Sequence, residues 1–307
     1  MYHPPMAHFI DTLLERIDRM GSPVCVGFDP VFAKIPAELR PHGGDELEAI
    51  LAFAERTLPI FAEHVPCLKI QSACFERYGP VGVGLYEMLT HRAQELGLLV
   101  IGDVKRGDIG STAEHYAAAT LVDPKAIEET STSAPDAVTV NSYFGRDGLL
   151  PFADMAAEGG RGVFALVRTS NPGGDAIQAL KLADGRSVAE AVAQLVAEVG
   201  DDPRYIGERG YSLLGAVVGA TRPGDAARLR TLMPRQFFLV PGFGAQGGSA
   251  DDVRACFNGD GAGALITASR SVTYAYSDPA DPDWLQAIER ATIEFKEQVA
   301  RARGGSL

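Results

Sequence analysis

Eight short runs of mainly Val, Ile and Leu, spread along the whole chain, are the feature that most limits its fold. Each run is almost continuously apolar, which is typical of a parallel strand covered on both faces. The runs are 23–28, 65–70, 97–103, 136–140, 162–167, 214–219, 236–241 and 262–267. This pattern favours a large parallel sheet.

Amphipathic stretches rich in Ala, Glu and Leu separate these runs and predict helices. The clear examples are 46–63, 81–96, 112–121, 187–199, 223–232 and 249–257, with a leading helix at 6–20 and a closing helix at 283–302. Eight strands that alternate with helices predict an α/β fold, the closed (β/α)8 TIM barrel. A doubly wound open sheet is the alternative, but it more often has about five or six strands, and no Gly-x-Gly-x-x-Gly follows the first run.

The longest step between runs follows the fifth one. Its excess lies in 171–186 and 200–212, which are rich in Gly, Asp, Pro and Arg and predict loop insertions on one scaffold. No low-complexity linker divides the chain, and 307 residues suffice for one α/β barrel. We therefore expect residues 1–307 to form a single domain.

The charge balance and the cysteines narrow the class of protein. With 28 Lys and Arg against 40 Asp and Glu, the net charge of −12 argues against a nucleic-acid or anionic-membrane partner, but not against a small anionic substrate. No apolar run reaches the roughly 18 residues of a membrane span, and the first residues do not resemble a signal peptide. The four cysteines form no Cys-x-x-Cys pair. These features predict a cytoplasmic enzyme.

Polar residues that follow the apolar runs are the candidate site, because the active site of such a barrel lies at the C-terminal ends of its strands. Asp103 and Lys105 are two residues apart, so an extended strand points both into the barrel mouth, where they would form an ion pair. Asp108 follows Gly107, where the chain must turn, and strand periodicity does not position it. A structural Asp–Lys pair that caps the barrel is the alternative to a catalytic one.

The ends of the seventh and eighth runs predict a phosphate site. Glycines in 241–248 let backbone N–H groups approach an anion, and Arg270, next to Ser269, can bind phosphate with two hydrogen bonds. Two Gly-rich turns and a surface arginine are the alternative.

Lys69 ends an apolar run, so its ammonium group needs a carboxylate partner or a polar barrel mouth. Asp29 is the candidate neighbour. A buried structural ion pair would have the same sequence pattern.

Two enzyme classes are disfavoured. The chain has neither His-x-His nor His-Glu-x-x-His, and no Gly-x-Ser-x-Gly lies at a strand-to-helix turn. A zinc enzyme and a histidine-based hydrolase therefore do not fit, and we expect no metal.

Taken together, the motifs resemble the orotidine 5′-phosphate decarboxylase family, in its longer bacterial form, the type 2 subfamily. The resemblance rests on FDP at 28–30, Lys69, DVKRGDIGST at 103–112, RTSNPGG at 168–174, PGFGAQGG at 241–248 and SRSVTYAY at 269–276. It implies a (β/α)8 barrel and a homodimer without metal or organic cofactor. The implied reaction converts orotidine 5′-monophosphate to uridine 5′-monophosphate and CO2, the last step of de novo pyrimidine synthesis.

The resemblance also implies catalytic roles. Lys105 would give the proton to pyrimidine C6. Asp103 would lie between Lys105 and Lys69 and crowd the departing carboxylate. Asp108 and Thr112 would cross the dimer interface into the partner's site.

The substrate-binding roles that the resemblance implies are spread over the other strand ends. Asp29 and Lys69 would bind ribose hydroxyls, and Ser170 would hydrogen-bond the pyrimidine amide. Gln246 and Arg270 would hold the phosphate, with Ser269 beside them. The resemblance fixes no role for Asn141, Arg168, Tyr274 or Tyr276.

Two rival functions share part of this pattern. Relatives such as hexulose-phosphate synthase or keto-gulonate-phosphate decarboxylase share Asp-x-Lys-x-x-Asp but use magnesium, so sensitivity to a chelator separates them. A non-catalytic barrel that senses the nucleotide would keep Arg270 but has no need for Asp103, Lys105 and Asp108 together.

Overall fold

The computed structural model describes residues 8–123, 132–219, 223–243 and 250–304. Within these ranges eight parallel strands form a closed barrel in chain order, and β8 pairs back to β1 at Ile266 and Val24. The strands are β1 (Val24–Phe28), β2 (Cys67–Gln71), β3 (Leu99–Arg106), β4 (Ala137–Val140), β5 (Gly162–Arg168), β6 (Ser212–Val218), β7 (Gln236–Val240) and β8 (Ala264–Ala268). The predicted (β/α)8 TIM barrel is confirmed, and the open sheet is wrong because the sheet closes.

Helices lie between consecutive strands and at both ends of the described chain. They are α1 (Phe9–Met20), α2 (Glu46–His64), α3 (Ala73–Glu76), α4 (Gly79–Glu95), α5 (Gly110–Leu121), α6 (Arg146–Glu158), α7 (Asp175–Gln178), α8 (Val188–Gly200), α9 (Pro223–Leu232), α10 (Ala250–Arg254), α11 (Arg270–Thr273) and α12 (Trp284–Ala302). No prediction covers α6, because Gly148 and Pro151 lower its intrinsic helix propensity. Helix α10 ends at Arg254 rather than 257, since Cys256 and Phe257 donate to carbonyls only three residues back.

The strands are buried on both faces, which explains their continuous apolar sequences. Every residue of β1, β6 and β8 is buried. Inward-facing Cys67 and Ile101 belong to the apolar cluster inside the barrel. Lys69 and Asp103 follow them at a spacing of two residues, so they occupy the same inward face one layer nearer the C-terminal ends of the strands.

The first helix packs against the opposite end of the barrel. Phe9 of α1 meets Phe164 of β5 edge to face, with ring centroids 6.2 Å apart. A Cβ on Gly162 would lie 2.2 Å from the Phe9 ring, so only glycine fits at that position. This packing leaves the C-terminal ends of the strands for the site.

The predicted insertions are short structured loops. The first contains α7 and an antiparallel bridge between Lys181 and Ser187, and the second contains a bridge between Ile206 and Ser212. The organisation of residues 1–307 as one domain stays a prediction.

Candidate active site

A cavity of about 480 Å³ opens at the C-terminal ends of the strands, where the barrel fold predicts a site. It is lined by Asp29, Lys69, Gln71, Asp103, Lys105, Thr139, Leu166, Thr169, Ser170, Asn171, Val217, Leu239, Pro241, Gly242, Phe243, Thr267, Ser269 and Arg270. The structure therefore brings together the predicted residues from β1, β2, β3, β5 and β8.

Asp103 is the centre of a buried hydrogen-bond network. Its Oδ2 accepts from Lys69 Nζ at 2.8 Å and from Gln71 Nε2 at 3.0 Å. Its Oδ1 accepts from Lys105 Nζ at 2.5 Å and from Thr139 Oγ1 at 2.9 Å. Each carboxylate oxygen thus has two donors, which hold the carboxylate in one orientation.

Two members of this network, Gln71 and Thr139, have no predicted role. Both carry uncharged side chains, and Thr139 lies within the apolar run of β4. A hydroxyl buried in such a run needs a hydrogen-bond partner. That need is the signal that could have identified Thr139 from the sequence.

The two lysines beside Asp103 differ in exposure. The Lys69 side chain is 9% exposed and the Lys105 side chain 47%. Burial alone would raise the Asp103 pKa, but the Lys69 and Lys105 ammonium groups outweigh it and hold that pKa well below its usual range. Lys105 is therefore the more accessible cation of this pair to a molecule in the cavity.

Lys69 also has two carboxylate neighbours. Its Nζ lies 2.8 Å from Asp103 Oδ2 and 3.7 Å from Asp29 Oδ1. Burial alone would lower the Lys69 pKa, but Asp29 and Asp103 outweigh it and raise that pKa above its usual value. The predicted Asp29–Lys69 neighbourhood is present, and Lys69 stays charged at neutral pH.

Lys105 has a strained backbone. Its φ of 46° makes it the one non-glycine residue with positive φ in the described ranges. The β3–β4 register shifts between Gly102 and Arg106, so the chain bulges at this point. Thr139 Oγ1 accepts from Lys105 N at 3.0 Å and thereby supports the bulge. Such strain costs on the order of 1–3 kcal/mol and is concentrated at functional sites.

The cavity wall after β5 is held by the first insertion. Ser170 lines the cavity next to Thr169. Gln178 Oε1 accepts from Thr169 N at 2.9 Å, and Gln178 Nε2 donates to Thr169 Oγ1 at 2.8 Å. Arg168 points away from the cavity and pairs with Asp175 at 2.6 Å and Asp225 at 3.0 Å. Arg168 therefore anchors the insertion.

The end of β8 contributes Ser269 and Arg270. A Cβ on Gly27 of β1 would lie 1.8 Å from Ser269 Oγ, so this close approach of the two strand ends requires glycine. The predicted phosphate residue Gln246 lies outside the described residues. Gly242 and Phe243, which precede it, line the cavity.

Asp108, Thr112 and Asn141 do not line the cavity. Asp108 Oδ1 accepts from Ile109 N at 2.8 Å at the start of α5, and Thr112 is exposed on that helix. Asn141 Oδ1 accepts from Tyr143 N at 3.0 Å and so caps a turn. The role of Asp108 and Thr112 in a partner's site stays a prediction.

The cavity is positively charged although the chain is acidic. Three cations, Lys69, Lys105 and Arg270, line it with two carboxylates, Asp29 and Asp103. Such a site attracts an anion.

Among the described residues, no group of three His, Cys, Asp or Glu side chains is arranged to hold a metal ion. No helix in the same ranges is both long and apolar enough to cross a membrane.

Comparison with known proteins adds a second line of evidence. The family model described as "Orotidine 5′-phosphate decarboxylase / HUMPS family" matches residues 22–281. A Rhodopirellula baltica protein named orotidine 5′-phosphate decarboxylase is 43% identical over 306 residues, covering 96% of this chain and 99% of that protein. A Deinococcus radiodurans protein of the same name is 40% identical over 269 residues, covering 87% of this chain and 89% of that protein.

Solved structures agree with these relatives. A crystal structure from Streptomyces avermitilis, described as an orotidine 5′-phosphate decarboxylase, has a TM-score of 0.79 and 34% identity to this chain. The match covers 99% of this chain and 100% of that one. Leishmania donovani OMP decarboxylase has a TM-score of 0.73 and 30% identity and covers 97% and 100%. The predicted resemblance and the predicted decarboxylase class are confirmed, while the type 2 label stays a prediction. The chain belongs to the orotidine 5′-phosphate decarboxylase / HUMPS family.

Proposed function

We propose that the chain converts orotidine 5′-monophosphate to uridine 5′-monophosphate and CO2, the last step of de novo pyrimidine synthesis. The observation that carries the proposal is the array in which one buried carboxylate, Asp103, holds both Lys69 and Lys105 at the base of a cationic cavity. The names of the full-length relatives support the substrate. The predicted cytoplasmic location stays a prediction.

Lys105 is the proposed proton donor. When the bond between C6 and the carboxylate carbon breaks, CO2 leaves and the electron pair remains on C6. The Lys105 ammonium stabilises that charge and then gives its proton to C6. Because Asp103 already holds Lys105 in position, little reorganisation is needed as charge develops. Asp103 also repels the substrate carboxylate, and this repulsion ends when neutral CO2 departs.

The remaining cavity residues are proposed to bind the rest of the nucleotide. Asp29 and Lys69 would bind ribose hydroxyls, and Ser170 would bind the pyrimidine amide. Arg270, with Ser269 and Gln246, would bind the phosphate. Binding energy from the phosphate, remote from C6, can be used to hold the ring against Lys105.

A homodimer is part of the proposal, with Asp108 and Thr112 reaching the partner's site. The observation that supports it is a pair of exposed apolar side chains, one next to Asp108 in the sequence and one in the turn that precedes helix α6. Ile109 is 56% exposed and Tyr143 is 86% exposed. Large exposed aromatic and aliphatic side chains are typical of protein interfaces.

The test is whether purified protein turns over orotidine 5′-monophosphate in excess chelator. Formation of uridine 5′-monophosphate and release of CO2 measure the turnover. We expect turnover that magnesium does not increase. The family is described as including HUMPS as well as the decarboxylase, and the rival function above is a magnesium-dependent hexulose-phosphate synthase. A hexulose phosphate, tested with and without magnesium, is therefore the matched comparison. Turnover of that sugar phosphate alone would overturn the proposal, as would folded protein inactive on the nucleotide under both conditions.

A further inference from the structure

We propose that Tyr274 is a positioning residue for the ribose side of the cavity, because its hydroxyl holds the backbone that carries Asp29. The proposal rests on the proposed function, in which Asp29 binds a ribose hydroxyl. Tyr274 itself does not line the cavity. It acts through the three-residue segment Asp29–Pro30–Val31 that follows β1.

The Tyr274 hydroxyl contacts both ends of this segment. The hydroxyl oxygen accepts a hydrogen bond from Val31 N at 2.7 Å, and the O–H group donates one to Asp29 O at 3.2 Å. Pro30 has no N–H, so the chain cannot continue the β1 ladder through it. One tyrosine hydroxyl therefore supplies the hydrogen bonds that strand pairing cannot supply.

The Asp29 side chain depends on this support. Its Oδ1 is buried and has no hydrogen-bond partner among the described residues. The nearest cation, Lys69 Nζ, is 3.7 Å from Oδ1, which is longer than a hydrogen bond. The Asp29 side chain is 34% exposed, so a ligand can reach the carboxylate, but its own contacts do not fix its position. The position of its backbone has to do so.

The Tyr274 ring is firmly held. It stacks on Phe53 with a centroid distance of 5.9 Å and an interplanar angle of 1°. Phe53 in turn stacks on Phe28 of β1 at 6.0 Å. Burial raises the Tyr274 pKa, so its hydroxyl keeps the proton that it donates to Asp29 O. The hydroxyl is therefore a fixed anchor for the loop.

The same segment of chain connects two parts of the proposed nucleotide site. Helix α11 begins at Arg270, the proposed phosphate ligand, and Tyr274 follows its last residue. Thr273, the residue before Tyr274, also contacts the end of β1, because its Oγ1 donates to Gly27 O at 2.8 Å. These contacts fasten the phosphate side to the end of β1, so Tyr274 sets the position of Asp29 relative to Arg270.

Tyr276 is a matched control. Its hydroxyl donates to Lys34 O at 2.7 Å, so it also binds backbone of the loop after β1, but five residues beyond Asp29. Its ring packs edge to face against Tyr274 and Trp284. Tyr276→Phe removes a similar hydrogen bond from the same loop without releasing Asp29.

The experiment measures uridine 5′-monophosphate binding by calorimetry to the wild type, Tyr274→Phe, Tyr276→Phe, Asp29→Asn and the double variant Asp29→Asn/Tyr274→Phe. We expect Tyr274→Phe to weaken binding about tenfold, because it removes both hydrogen bonds that hold the backbone of Asp29 and Val31. Tyr276→Phe should weaken binding less than about twofold, because the one hydrogen bond that it removes lies five residues beyond Asp29. In the Asp29→Asn background, Tyr274→Phe should have almost no further effect, because the two residues act in series. In turnover, the Tyr274→Phe effect should fall on KM rather than kcat.

Different failures of the experiment have different meanings. If the wild type does not bind uridine 5′-monophosphate, the proposed function fails and this inference fails with it. If the wild type binds but Tyr274→Phe and Tyr276→Phe behave alike, only the role of Tyr274 is overturned. A tenfold loss that persists in the Asp29→Asn background also overturns it, because Tyr274 would then act through another residue or through general stability.

Discussion

The two sides of the cavity are built differently. On the side of β2 and β3, Lys69, Asp103 and Lys105 belong to the strands themselves, and both lysines pair with Asp103. On the side of β5 and β8, Ser170 and Arg270 lie just beyond the strand ends, Ser170 in the loop after β5 and Arg270 at the start of α11. In the proposed function, the charged array around Asp103 therefore lies in the sheet, and the pyrimidine and phosphate contacts of Ser170 and Arg270 lie beyond it.

The loop side still has anchors, but they lie behind the cavity wall. Arg168 is buried and joins Asp175 of the insertion to Asp225 of α9. Gln178 forms hydrogen bonds with Thr169. Changes on the strand side should therefore abolish the chemistry, and changes behind the loop side should weaken binding.

The largest expected effect is that of Lys105→Ala on the strand side. It removes the proposed proton donor and the cation that stabilises charge on C6, so kcat/KM should fall by far more than the roughly 10²–10⁴-fold of simple acid catalysis. Steady-state kinetics with orotidine 5′-monophosphate measures it. Alanine is preferable to glycine because the φ of 46° at this position would favour glycine and relax the bulge.

Lys181→Ala is the control for Lys105→Ala. Lys181 is 57% exposed on the insertion and lies 3.7 Å from Glu190, outside the cavity. It should leave kcat/KM within about twofold, because an exposed ion pair contributes little. A loss below tenfold in Lys105→Ala would contradict the assignment of the proton donor.

The next largest effect is expected for Asp108, which does not line the cavity of its own chain and is proposed to reach the partner's site. Homodimers of Lys105→Ala and of Asp108→Ala should each be nearly inactive. After subunit exchange, a mixed dimer has one intact site, so about a quarter of the wild-type activity should return if exchange is random. Mixed dimers that form, as native mass spectrometry would show, but remain inactive would exclude Asp108 from the partner's site.

The sequence predicts the barrel and the strand side better than the fine geometry. Eight apolar runs predict eight strands, and the strand-end rule identifies Lys69, Asp103 and Lys105. The strand-end rule does not predict the positive φ of Lys105, because it assumes a regular strand. The bulge at Lys105 depends on Thr139, which is 34 residues away in the sequence. The anchoring role of Arg168 could not be predicted for a similar reason, since its partner Asp225 is 57 residues away in the sequence.

Asp103→Asn should lower the free energy of unfolding by about 3 kcal/mol at pH 7, since it leaves the buried Lys69 ammonium without its closest carboxylate. The folded Asp103 pKa is depressed, so its stabilisation is present above the unfolded value of about 3.9 and is lost as pH falls through the folded value. The Lys69 pKa is raised, so its stabilisation is present below about 10.4 and is lost only as pH rises through the folded value.

The difference between wild type and Asp103→Asn should therefore be constant from about pH 5 to 9 and narrow below about pH 4. Urea unfolding at several pH values measures it. Asp18→Asn, which removes an exposed pair with Arg209 at 2.7 Å, should cost less than about 1 kcal/mol. A difference between wild type and Asp103→Asn that grew towards low pH would refute the assigned direction of the Asp103 pKa.

The smallest effect is expected behind the loop side, at Gln178. Gln178→Ala removes both hydrogen bonds to Thr169, so Ser170 and its neighbours lose their preferred position while Lys105 and Asp103 keep theirs. KM should rise about tenfold with kcat changed less than about threefold, since two hydrogen bonds worth about 1 kcal/mol each are lost and about 1.4 kcal/mol of weaker binding is a factor of ten. Gln194→Ala is the control, because Gln194 hydrogen-bonds Arg186 away from the cavity. An equal fall in kcat for Gln178→Ala would mean that the two sides of the cavity are not separable, since the loop wall would then position the ring for proton transfer as well as bind it.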